Sequence, residues 1–170
     1  MMLMQVLPFS SDHFIFQNLK PNQKKLANYL SWMRDTQNNV FIDSIDKNYS
    51  LERLVQFISE KNSSSQALLL GIFDKQNGVH FGNIKFEPID KESRTAWLGI
   101  LIGDLRYRGK GHAKEIIDST CEHISNIYNI NKVCLGVNKN NSVALKTYLK
   151  SNFKIQKESS IEGLVLIRED

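Results

Sequence analysis

The feature that most constrains this chain is a four-part run in its second half. TAWLGILIG, residues 95–103, reads as a strongly apolar strand, and LRYRGKGHAKE, residues 105–115, follows as a turn with two glycines and four Lys or Arg side chains. Behind the turn, Ala113, Ile116, Ile117, Thr120, Cys121, Ile124 and Tyr128 recur at helical spacing over about four turns. KVCLGV, residues 132–137, is a second apolar strand. Strand, turn, helix and strand in that order imply two parallel strands joined by a crossover helix.

The rest of the chain is built around that unit. Phe14 to Leu19 reads as a strand, and Pro21 and Asn22 open a helical stretch carrying Leu26, Tyr29, Leu30 and Met33. Residues 35–49 have no period and read as a loop. Ser50 is placed to cap a second helix with Leu51, Leu54, Val55 and Ile58 on one face. QALLLGIFD and VHFGNIKFE, separated by the turn chemistry of DKQNG, predict an antiparallel hairpin, and a further turn is expected from Pro88 to Arg94. NSVALKTYLKS predicts a short helix, and FKIQKE and IEGLVLIRE two closing strands. The order predicts an α/β (α+β) fold: a mixed, mostly antiparallel central sheet of about seven strands flanked by about four helices. No linker or repeat interrupts it, so residues 1–170 are expected to form a single domain.

Composition narrows the function. Lys and Arg exceed Asp and Glu to give a charge of +4, but they are spread along the chain apart from residues 106–114. A nucleic-acid binder shows a denser basic face with interleaved aromatics, so no nucleic-acid partner is expected. Cys121 and Cys134 belong to no Cys/His set with metal-ligand spacing, and no metal site is expected; buried free thiols fit a reducing compartment. The start, MMLMQVLPF, lacks the positive region of a signal peptide, and no apolar run has membrane-spanning length. A cytoplasmic protein with no membrane partner is the expectation.

The basic turn suits a phosphate. A strand running into a glycine turn and then a helix aims several N–H groups at one spot, where the helix dipole adds positive charge. Gly109 and Gly111 let a ligand approach the backbone, and Arg106, Arg108, Lys110 and Lys114 supply countercharge enough for a diphosphate. Taken alone, a helix start with merely solvated basic residues explains the run equally well. Neither GxxxxGK[ST] nor GxGxxG is present, since Lys114 stands where the third glycine belongs.

Arg106, Gly109 and Gly111 match the R/Q-x-x-G-x-G/A signature of the GNAT acetyltransferase superfamily, and Asn141, Ala144 and Tyr148 match its N-x-x-A-x-x-x-Y. Asn152-Phe153 stands where Gly-Phe is usual. The chain therefore resembles that family over nearly its whole length. YLSWMRD, HFGNIKFEPID and LGILIGD make it most similar to the branch with ribosomal-protein N-terminal acetyltransferases, and also to acetyltransferases acting on nucleotide-linked amino sugars.

The resemblance implies acetyl-CoA as co-substrate, no metal, and direct transfer of the acetyl group to a primary amine. It implies that Arg106, Arg108, Gly109, Lys110, Gly111, His112 and Ala113 hold the diphosphate. Backbone groups of Ile100, Leu101 and Ile102 would pair with the pantetheine arm where the two parallel strands splay, and Asn141 would touch the arm from the start of its helix. Tyr148 would protonate the leaving thiolate, although Tyr148 also reads as a core aromatic and Asn141 as a helix cap.

The general base has no clear candidate: Gly136 stands near the place where some relatives carry a glutamate. Glu87, Asp104 and Asp43 qualify only by rough position, and His80, among apolar neighbours, reads as structural. A lysine-like amine, with a pKa of about 10.4, needs a base, whereas an α-amine near about 8 or an amino sugar does not. This tilts the acceptor towards a nucleotide-linked amino sugar or a protein N-terminal amine, walled by Phe41, Ile42, Asp43 and Asp46, with Glu87 as a further contact. A non-catalytic acyl-CoA-binding module is the alternative. The chain is expected to be a monomer or a homodimer, the latter through an edge strand such as IEGLVLIRE.

Overall fold

The structure is a computed structural model that describes residues 6–169. The first five residues of the apolar start, on which part of the signal-peptide reading rests, lie outside the described residues. Eight strands run in the order β1-β2-β3-β4-β5-β6-β8-β7. They are β1 Phe9–Ser10, β2 Phe14–Asn18, β3 Leu68–Asp74, β4 His80–Asp90, β5 Thr95–Ile102, β6 Lys132–Asn138, β7 Lys154–Glu158 and β8 Gly163–Glu169. The helices are α1 Ala27–Arg34, α2 Leu51–Ser63, α3 His112–Tyr128 and α4 Ser142–Lys150. This is the mixed, mostly antiparallel α/β fold expected, with one more strand than the sequence suggests because β1 has only two residues.

The chain divides into two compact units, one running to Lys85 and including Ile100–Tyr107, the other comprising Phe86–Gly99 and Arg108–Asp170. In the first unit β1, β2 and β3 pair antiparallel, with Phe16 opposite Ile72. Asp74 N donates to Val79 O (2.9 Å) and Gly78 N to Asp74 O (2.8 Å), closing the predicted hairpin between β3 and β4. Helix α1 is preceded by a single 3-10 turn, Gln23–Lys25, capped by Asn22. Ser50 caps α2 as expected, its Oγ accepting from Arg53 N at 3.1 Å. These helices bury Tyr29, Trp32, Met33, Leu54 and Ile58 in a cluster with Leu19, Leu26, Tyr49 and Leu69.

In the second unit β5 and β6 are parallel, as the crossover through α3 requires, and β6 pairs antiparallel with β8 along its whole length. The α3 stripe is buried at Ile116, Ile117, Thr120, Cys121 and Ile124. Two expectations are corrected. The turn expected from Pro88 starts only after Asp90, because β4 continues through an exposed Pro88 while Ile89 is buried. IEGLVLIRE is no edge: β8 lies between β6 and β7, so β7 is the outer strand and a dimer through a free β8 edge is excluded.

Candidate active site

In the second unit, the turn after β5 reaches α3 through two left-handed residues, Gly109 at φ +70° and Gly111 at φ +79°. Apart from the adjoining residues of the chain, no atom of the described residues lies within 4 Å of where a side chain would start at either position. Gly111 is the cap position of α3, and no side chain caps the helix there. The first-turn N–H groups, from His112 onward, thus begin beside an open, glycine-walled space.

The four cations are not equivalent. Lys114 Nζ pairs with Asp118 Oδ2 one turn along α3, and Asp118 Oδ1 also accepts from Arg168 Nη1 at 2.7 Å. Lys110 is exposed and makes no ion pair among the described residues. In the first unit, Arg106 is held by Asp104, with Nη2–Oδ2 at 2.6 Å and Nε–Oδ1 at 3.0 Å. Lys114 thus shares one carboxylate with Arg168, while Arg106 pairs with that of Asp104.

The pairing of β5 with β6 runs from Thr95↔Lys132 to Trp97↔Cys134. Beyond that register β6 continues to pair with β8 as far as Asn138↔Gly163. Leu98 and Gly99 thus follow the last β5–β6 pair. Gly136, on β6, is exposed with no protein atom near its missing side chain.

Asn141 and Tyr148 both belong to α4. Asn141 caps the helix, Oδ1 accepting from Ala144 N at 3.2 Å, which leaves its Nδ2 without a partner among the described residues. Tyr148 is half-buried, its ring 5.9 Å from that of the buried Phe153. Its hydroxyl has no hydrogen-bond partner among the described residues, and burial pushes its pKa up to about 12. Cys134 and Cys121 are free and buried, and burial raises the Cys134 thiol above its ordinary value. A thiol so shifted is a poor nucleophile at neutral pH.

The remaining candidates fall in different places. In the first unit, Ile100, Leu101 and Ile102 form the end of β5, half-buried, and the backbone of Leu101 passes close to Gly82. Phe41 and Asp43 are exposed on the loop between α1 and α2, while Asp46 is tied to Arg53 at 3.6 Å. Asp104 is committed to Arg106. His80 is packed among Phe73, Trp32 and Tyr29, with Nε2 bonded to Asn83 Oδ1 (2.8 Å) and Gly82 O (3.0 Å). Burial lowers its pKa, so the ring is neutral at pH 7. In the second unit, Glu87 is half-buried on β4. The hydrogen bond from Tyr107 Oη to Asp74 Oδ2, spanning 33 positions, had no signal in the sequence.

The model of the acetyltransferase (GNAT) domain matches residues 14–154. The chain belongs to the GNAT acetyltransferase family. Among curated proteins, the spermine/spermidine N(1)-acetyltransferase of Bacillus subtilis strain 168 is 27% identical over 81 residues, 47% of this chain and 53% of that protein. This GNAT chain thus spans about half the length of the curated relatives it matches. Among solved structures, a spermidine N-acetyltransferase of Vibrio cholerae in complex with CoA and spermine has a TM-score of 0.79 at 17% identity, over 94% of this chain and 96% of that one. A second Vibrio cholerae protein, described as a ribosomal-protein-serine acetyltransferase, has a TM-score of 0.77 at 14% identity, over 96% and 98%. At such identities these two likenesses establish a shared GNAT fold.

Proposed function

We propose that this GNAT protein is an acetyl-CoA-dependent N-acetyltransferase that moves the acetyl group directly to a primary amine. The observation that carries the reading is the turn Arg108–Ala113: two left-handed glycines, open on the ligand side, leading into an uncapped helix start. The diphosphate of the donor would rest on the N–H groups there, with Arg108 and Lys110 beside it and Arg106 just upstream. In the second unit, the pantetheine arm would follow β6 past its last pair with β5, and Asn141 Nδ2 would contact it. In the first unit, an N–H near Ile100–Ile102 would be the group that polarises the thioester carbonyl.

Direct attack is favoured over an acetyl-cysteine intermediate because both thiols are buried and that of Cys134 is shifted up. The amine attacks the carbonyl, the C–S bond breaks, and the sulfur leaves with the bonding pair. Tyr148 would hydrogen-bond to that thiolate and supply its proton, while the proton shed by the amine nitrogen passes to water, which restores the phenol. A phenol near 12 donates less readily than one at about 10, but the same dry surroundings raise the thiolate's basicity, since both conjugate bases are anions.

For the acceptor, a protein N-terminal amine or an amino sugar is favoured, because Asp104 is tied to Arg106, and His80 is a weakened base whose Nε2 is engaged by Asn83 and Gly82. A polyamine is the second reading, favoured by the spermine and spermidine N-acetyltransferases among the curated relatives. The deciding experiment follows thiol release from acetyl-CoA against a nucleotide-linked amino sugar, a peptide with a free N-terminus, and spermidine. Release with one class names the acceptor. Release with none, while acetyl-CoA still raises the melting temperature, would replace the enzyme with a non-catalytic acyl-CoA-binding module.

A further inference from the structure

We propose that Tyr107 is a positioning residue for the diphosphate turn, acting through Asp74 at the tip of the β3–β4 hairpin. The inference rests on the donor-site reading above. Tyr107 is the last residue before Arg108 and lies inside the signature, at a position to which the signature assigns no role. Its hydroxyl donates to Asp74 Oδ2 at 2.8 Å and accepts from Asn77 Nδ2 at 3.3 Å. Its ring lies flat on Phe81, centroids 4.1 Å apart and planes 8° from parallel.

Both partners are themselves held. Asp74 Oδ1 accepts from Gln76 N at 2.8 Å, and the Asp74 backbone closes the hairpin. The carbonyl of Phe81 accepts from Gly103 N (2.9 Å) and Asp104 N (3.0 Å), and Asp104 grips Arg106. The hydrogen bond from Tyr107 holds the Asp74 carboxyl below its usual range, so the acceptor stays charged through neutral pH and the bond is of the stronger, charge-assisted kind.

The need for such a fastening follows from what comes next. Two of the four residues after Tyr107 are glycines at positive φ, the most freely rotating backbone available. A loop that must be ordered when its ligand binds loses affinity by the entropy of ordering, and one already fixed at its ends loses less. Tyr107 fixes the point from which this loop departs. The Tyr107 hydroxyl is engaged by Asp74 and Asn77, so its contribution to the donor is through the backbone of the turn and not by contact.

The test is calorimetric binding of two probes: CoA, and adenosine 3′-phosphate 5′-diphosphate, which carries the diphosphate without the pantetheine arm. Tyr107→Phe keeps the stack on Phe81 and removes only the donor; Asp74→Asn removes the charge and keeps the shape. Each variant is expected to bind both probes about three- to tenfold more weakly, by the same factor, with a melting curve showing a folded protein. The double variant is expected to be no weaker than the worse single one. Unchanged affinity, a loss confined to CoA, or losses that multiply in the double variant would each overturn the proposal. A wild-type protein that binds neither probe would instead remove the donor-site reading, and this inference with it.

Discussion

Two sets of glycines divide the molecule. In the first unit, Gly82 and Gly103 are glycines because the protein leaves no room for anything else. A Cβ at Gly82 would meet the Leu101 carbonyl oxygen at 2.5 Å, and one at Gly103 would run into the Trp32 indole. In the second unit, Gly109, Gly111 and Gly136 have no protein atom within 4 Å of the same point. The first set is explained by the interior; for the second the interior offers no such reason. Emptiness alone is not enough, since Gly78 is equally open simply because it sits in an exposed hairpin turn. What distinguishes Gly109 and Gly111 is the uncapped helix start directly behind them.

Substitutions can break this contrast. The largest effect is expected at Gly103→Ala, where the new methyl displaces Trp32 from the α1 core: about 3 kcal/mol of stability lost in a urea melt. A wild-type midpoint would mean that the indole has room to move and that the first set is not sterically required. Next is Tyr148→Phe, expected to lower kcat about a hundredfold with CoA affinity intact. Full activity in that variant would make the open side of the second unit a binding feature whose acid is water.

Gly111→Asn sharpens the contrast further. Asparagine tolerates the left-handed conformation, so the fold should survive, while the side chain enters the empty space and weakens CoA binding about tenfold or more. Gly111→Val would confound backbone strain with obstruction, which is why Asn is the cleaner probe. Should Gly111→Asn bind CoA as the wild type does, the open glycines would be turn geometry and nothing more.

The smallest expected effect is alkaline. Tyr148 ionises near 12 when folded and at about 10 when unfolded, so the folded state's advantage is complete below about pH 10 and is lost as the pH rises towards 12. Tyr29, shifted up by burial in the first unit, adds to the same decline. In melts between pH 9 and 12, Tyr148→Phe should therefore shallow the fall without abolishing it. An unchanged slope would mean the phenol is as solvated as in the unfolded chain.

How much of this could be read from the sequence depended on range. Features written within one turn or one hairpin were legible: the Ser50 cap, the α3 stripe, the β3–β4 hairpin, and the Asn141 cap, whose hydrogen bonds reach only three residues. Pro88 reads as a turn residue, yet β4 runs on past it to Asp90, since a proline ends a strand only where its missing N–H is needed by a neighbour. The place of β8 between β6 and β7 was not legible, since strand order is decided by pairing across the sheet. At the candidate site, the left-handed glycines and the Asn141 cap fall at the motif positions, but side-chain pairing leaves no mark in the sequence. Arg106 with Asp104, Lys114 with Asp118, and Tyr107 with Asp74 are choices among many possible partners, made by the folded backbone.

The outer strand β7 has a consequence beyond topology. Every one of its residues is exposed, two of the five are lysines, and its register against β8 slips between Ile155 and Lys157. A straight, apolar edge would offer its free backbone groups to any passing extended chain, and crowded copies could stack into fibrils. Here charge and a kinked ladder make that addition unfavourable at every step. The edge acts as a guard on solubility, and replacing Lys154 and Lys157 by valine would be the direct way to remove it.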